Sequence, residues 1–106
     1  MERLITIYWR DIPSRVVGRR GRRSVLKRTL DPRFDRAIER AARRADRGSS
    51  RKYMEDWRRE SRPCAADLDT EVAAEVARLE AKFPPDVLEQ VVRAAGIVAP
   101  ARDLEA

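Results

Sequence analysis

Few residues in this chain have the types and spacing that do chemistry. The one cysteine, Cys64, follows Pro63, and the sequence has no histidine to activate it. A thiol without a base is a poor nucleophile. One cysteine and no histidine also remove the usual ligands of zinc, haem and iron–sulfur centres. Ser49 and Ser50 stand near Lys52, but serines at such a place read as helix caps. Glu55 and Asp56 are adjacent, so on a helix they point apart, and both are expected to pair with Arg58 or Arg59 one turn on. Asp67, Asp69 and Glu71 could touch a hard cation, yet capping of a helix explains them better. "GRRGRR", residues 18–23, lacks the strand-then-helix setting of a phosphate loop. The expectation is a protein that is not an enzyme and holds no cofactor or metal.

The informative chemistry is charge. Arg15, Arg19, Arg20, Arg22, Arg23, Lys27 and Arg28 fall between residues 15 and 28 with no acid among them. Seven unopposed cations repel one another, and an anionic surface relieves that repulsion. Three surfaces qualify: an acidic protein partner, a nucleic-acid backbone, or the chain's own acidic residues Glu71, Glu75 and Glu80. A basic hairpin can enter a nucleic-acid groove. No aromatic residue is interleaved with these arginines, however, as a single-strand binder would want. A protein partner with an acidic surface is the reading taken here, with nucleic acid as the alternative.

A second candidate is aromatic. "ITIYWRDIP", residues 5–13, runs from apolar into Arg10 and Asp11. Tyr8 and Trp9 are neighbours on a strand and face opposite ways, so one needs cover from elsewhere. Trp57, beside Arg58, poses the same question. Either Trp9 and Trp57 are core with their N–H groups satisfied locally, or one of Tyr8, Trp9 and Trp57 anchors a partner beside Arg10 or Arg58.

The elements that position these residues follow from length and periodicity. The chain has 106 residues, of which 40% are charged and 6% aromatic, enough for one domain with one modest core. Residues 1–62 hold 20 basic against 9 acidic residues, a net of +11. Residues 63–106 hold 4 against 9, a net of −5, which together give the overall +6. Arginine outnumbers lysine 21 to 3, a bias that reflects coding composition, so placement counts for more than number. The lone cysteine fits a reducing, cytoplasmic setting. No apolar run is long enough to span a membrane, and the first residues lack a signal-peptide layout.

Residues 3–10 predict a central strand, apolar on both faces, with Ile5, Ile7 and Trp9 on one and Leu4, Thr6 and Tyr8 on the other. Strands over 14–19 and 24–30, joined by a glycine-assisted turn in "RRGRR", complete an antiparallel meander. The period then changes. Asp31 as N-cap and Pro32 at the first turn start a helix carrying Phe34, Ala37, Ile38 and Ala41, closed by Gly48. A short helix over 51–60 places Tyr53, Met54 and Trp57 on one face. A third helix, about 67–83, has the stripe Leu68, Val72, Val76, Leu79, Phe83 and an acidic outer surface of Glu71, Glu75 and Glu80. A fourth, 85–95, ends at Gly96. Strands first and helices after predict an α+β fold: a small three-stranded antiparallel sheet packed against about four helices. Residues 1–98 form the single domain and 99–106 a frayed tail.

"LITIYWRDIP", "DPRFDRAIERAARRA", "YMEDWRR" and "DLDTEVAAEVARLEAKF" together resemble the small bacterial virulence factor domain family, over roughly residues 1–95. "YWRDIP" with a downstream Tyr-x-x-x-Trp-Arg-Arg is the most specific part. The resemblance implies a domain that either stands alone or is fused to helical repeats in a larger virulence factor, and for stand-alone members an accessory role near corrinoid- and folate-dependent methyl-transfer proteins. It carries over no catalytic residue.

Overall fold

The structure, a computed structural model, describes residues 2–46, 50–64 and 67–98. Three strands come first: β1 (Glu2–Trp9), β2 (Ile12–Arg20) and β3 (Arg23–Thr29). Helices α1 (Pro32–Arg44) and α2 (Ser50–Glu55) follow, then β4 (Trp57–Pro63), α3 (Leu68–Lys82) and α4 (Pro85–Arg93). The fold is α+β, with one antiparallel sheet and four helices.

The sheet has four strands rather than the expected three, in the order β3-β2-β1-β4. The last four residues of the helix expected over 51–60 are strand instead. "WRRESRP" shows no apolar alternation, so periodicity could not reveal it. The reason lies in its neighbour. A meander of three strands would leave β1, apolar on both faces, with an unpaired edge. β4 supplies the missing partner, from Arg3 opposite Pro63 to Trp9 opposite Trp57. The central placement of β1 thus holds because a distant, polar segment pairs with it.

The helices cover one face. α3 crosses the side that carries Leu4, Val16 and Gly18, where a side chain on Gly18 would meet Leu68 Cγ at 2.8 Å. Leu4, Val16, Phe34, Ile38, Val72 and Leu79 belong to the resulting core. Asp31 caps α1 by accepting from Arg33 N, with Pro32 in the first turn. Asp67, not Asp69, caps α3 by accepting from Thr70 N at 3.1 Å. Gly96, at φ +90°, follows α4. Gly48, Ser49 and the Ser50 side chain, expected to end α1 and cap α2, lie outside the described residues, as does the tail at 99–106. No described helix is long and apolar enough to cross a membrane.

Among the described residues, the opposite face is built of strand residues alone. Three rows cross it from β4 to β3, as the register dictates: Pro63, Arg3, Arg19, Ser24; then Ser61, Ile5, Val17, Lys27; then Arg59, Ile7, Arg15, Thr29.

Candidate partner-binding surface

The Trp9–Asp11 corner is a structural clasp. Arg10 takes the left-handed conformation, φ 53°, that a side chain adopts at a cost of roughly 1 kcal/mol or more. Contacts from three other segments hold it there. Its N–H donates to Asp56 O at 2.9 Å, and its carbonyl accepts from Arg58 Nε at 2.8 Å. Its guanidinium meets the Asp56 carboxylate at 3.3 Å, donates to Ala95 O at 2.9 Å, and lies 5.2 Å from the Trp9 ring centre. Asp11 accepts from Arg58 at 3.2 Å and from Val98 N at 2.7 Å. The β1–β2 turn therefore binds the start of β4 and the segment after α4 together.

Trp9 is completely buried, and its indole N–H donates to Tyr53 O at 2.9 Å. Gly96 presses on it so closely that an added Cβ would meet the ring at 3.0 Å. No partner can touch Trp9, so its place as a possible anchor is corrected: the bulge between Ile7 and Tyr8, with α2 stacking Tyr53 on the ring at 6.0 Å, turns it into the core. Trp57 opens β4 rather than ending a helix; half-buried, it meets Tyr53 edge-on at 5.7 Å. Arg58 stacks over Tyr8 at 4.3 Å and pairs with Asp11 and Glu60. The expected pairing of Asp56 with Arg58 or Arg59 gives way to Arg10, because residue 57 begins a strand and the helical spacing ends.

Tyr8 borders a cleft of about 360 Å³ between the sheet and α3, with Thr6, Glu60, Arg62, Glu75 and Arg78. Glu75 was expected on the outer surface of α3 and is buried. α3 lies across the β4 side that carries Arg62, and the helix turns carboxylates toward it: Glu71 reaches Arg62 at 3.1 Å and Glu75 at 3.8 Å. Arg78 clasps Glu75 at 2.6 Å. The Arg78 hydrogen bond holds the Glu75 carboxyl below the usual carboxylate range, against its burial, with Arg62 adding to the effect. Burial pushes the Tyr8 hydroxyl up, and Glu60 and Glu75 push it further. Burial likewise pushes up the Cys64 thiol, with Glu71 contributing, which makes it less nucleophilic.

The basic hairpin is arranged differently. It turns at Gly21, φ 62°, and spreads its cations over both faces and the tip. Arg20 pairs with Glu2 at 2.7 Å. Arg19 donates to Arg22 O at 2.7 Å, while its Nε is sealed from solvent with no acceptor among the described residues. Arg15, Arg22, Arg23, Lys27 and Arg28 make no hydrogen bond or ion pair through their side chains among the described residues. The acidic helix does not neutralise them: Glu71 and Glu75 serve Arg62 and Arg78, and Glu80 accepts from Asp31 N at 2.9 Å. Arg15, Arg19 and Lys27 share the open sheet face with Arg3 and Arg59, two cations that the sequence reading did not include. Recognising 57–63 as a strand would have placed Arg59 there by alternation.

A four-stranded antiparallel sheet with helices on one face, and on the other cations that meet no carboxylate among the described residues, defines an α+β domain. The chain matches the family model described as "Virulence factor" over residues 7–92, and so belongs to the virulence factor family. No curated protein and no solved structure matches it.

Proposed function

We propose that this protein is a non-enzymatic accessory protein that binds an acidic protein partner through its basic hairpin. One observation carries the reading: Arg15, Arg22, Arg23, Lys27 and Arg28 have no carboxylate partner among the described residues, although the same chain supplies glutamates to Arg62 and Arg78. Cations left open in this way accelerate encounter with a negative surface more than they tighten the final complex. Half-buried Trp57 and Tyr8 are the aromatics that remain as anchors at the rim. The adaptor role in corrinoid- and folate-dependent methyl transfer, implied by the family resemblance, belongs to the same reading, as does a cytoplasmic location.

The test is a pair of binding titrations, by anisotropy, of a labelled glutamate-rich peptide and a labelled duplex DNA between about 50 and about 200 mM salt. At the higher salt the peptide is expected to bind more tightly than the duplex, and Lys27→Glu with Arg28→Glu to weaken it. Duplex binding that is tighter throughout, with a steep loss on adding salt, would replace the protein-partner reading with the nucleic-acid one.

A further inference from the structure

The open face of the sheet has more than charge. Ile5 and Val17 lie side by side at its centre, with Ile7 next along β1. Around them stand Arg3 and Arg19 in one row, Lys27 at the end of the next, and Arg59 and Arg15 on either side of Ile7. This floor and its walls enclose a shallow cavity of about 310 Å³, which has no acidic residue in its lining. An antiparallel sheet normally turns a polar face to water. Here a branched aliphatic centre, with Ile5 and Val17 only 6% and 8% exposed beneath the side chains around them and Ile7 more open, is ringed by five cations, one of which has a sealed Nε with no acceptor among the described residues.

We propose that this face seats an acidic amphipathic helix of the partner, its apolar stripe on Ile5, Ile7 and Val17 and its flanking carboxylates on Arg15, Arg19, Lys27 and Arg59. The inference rests on the protein-partner reading above and adds the shape of what binds. Four strands span roughly 14 Å from centre to centre of the outer two. A helix is about 10–12 Å wide, so one helix covers the face and completes a third layer. A helix also presents an apolar stripe with charges along both sides, which is the pattern this face complements. A nucleic-acid strand fits less well, because the three rows contain no aromatic ring on which a base could stack. An added β-strand would use an edge of the sheet and would not engage the aliphatic floor.

The experiment compares two synthetic peptides of equal negative charge on the intact protein. One is a helix former with a leucine stripe flanked by glutamates; the other is polyglutamate. The helical peptide is expected to bind about tenfold more tightly, a difference of about 1.4 kcal/mol. Ile7→Lys keeps every cation and removes the most exposed part of the floor. It is expected to abolish that tenfold preference while leaving polyglutamate binding at least as strong. Arg15→Glu with Arg59→Glu is expected to weaken both peptides. In the wild type, amide chemical shifts that move on adding the helical peptide should centre on Ile5, Ile7 and Val17, a measurement independent of how well any variant folds. Equal binding of both peptides, or the same preference in Ile7→Lys, would overturn the helix seat and leave the charge-based reading standing. Shift changes confined to the α3 side would overturn the placement. Failure of both peptides to bind, with single-stranded RNA or duplex DNA bound instead, would overturn the seat and the protein-partner reading together.

Discussion

Two arginine-rich regions of this molecule have opposite fates. At the Trp9–Asp11 corner, Arg10 and Arg58 are held by Asp56, Asp11 and Glu60, by backbone carbonyls and by aromatic faces. On the open sheet face, Arg15, Lys27 and Arg59 have no carboxylate within reach among the described residues. The residue type is the same. The difference is whether another element delivers an anion to it: among the described residues, the fold brings carboxylates to the corner and to the α3 side and none to the open face. An arginine is therefore not by itself a docking residue or a structural one, and its neighbours in space decide. The corner gives the family's most specific string, Tyr8 to Pro13, a structural account: it ties β1, β4 and the segment after α4 to one another.

That contrast can be broken at either end. The largest effect is expected at the corner. Trp9→Ala removes a fully buried indole, its hydrogen bond to Tyr53 and its stacking with the same residue, and should cost about 4 kcal/mol. Set against a total stability of about 5–15 kcal/mol, that loss should appear as a large fall in the urea midpoint.

Glu75 should show a smaller and pH-dependent effect. Its carboxyl is held below the usual range in the folded protein, chiefly by the Arg78 hydrogen bond. A depressed folded value contributes stability that is complete above the unfolded value and is lost as pH falls through the folded one. The wild type should lose stability as pH falls below the ordinary carboxylate range, and Glu75→Gln should flatten that part of the profile. At neutral pH the same substitution should cost about 1 kcal/mol, since Arg78 is more than half exposed and water screens the pair. A pH profile unchanged by Glu75→Gln would show that the pairing under α3 contributes nothing to acid sensitivity.

The smallest effect on stability belongs to the open face. Arg15→Glu with Arg59→Glu should change stability by no more than about 0.5 kcal/mol. The sign should be stabilising at low salt, because like charges are removed, and the gain should shrink as salt is added. Thermal melts at two salt concentrations check this. A large loss would mean that these guanidinium groups hold the fold together, and the contrast between the two regions would fail.

Much of the fold was legible in the sequence. β1 announces itself through Ile5, Thr6, Ile7, Tyr8 and Trp9, α1 through Asp31, Pro32 and its apolar spacing, and α3 through Asp67 and the Leu68-to-Phe83 stripe. These are local properties, fixed by side-chain shape, capping and period. β4 was illegible because Arg58 to Arg62 are polar on both faces and the strand takes its conformation from the free edge of β1. Of the candidate site, the hairpin arginines could be read as a cluster, but not their sorting between the two faces. Arg3 and Arg59 could not be assigned to the cluster at all, because both are distant from it in sequence and reach it only through strand pairing.

By itself, the sequence determined β1 to β3 and the helices α1, α3 and α4, the basic and acidic halves, and the absence of histidine, because these depend on composition and on neighbours along the chain. Only the tertiary structure decided that Trp9 is sealed in the core, that Glu75 turns inward to Arg78, and that the cations beside Ile5, Ile7 and Val17 meet no carboxylate among the described residues. The reason is physical: burial and ion pairing are properties of what lies across a few ångströms of space, and the register of β1 with β2 and β4 sets those distances.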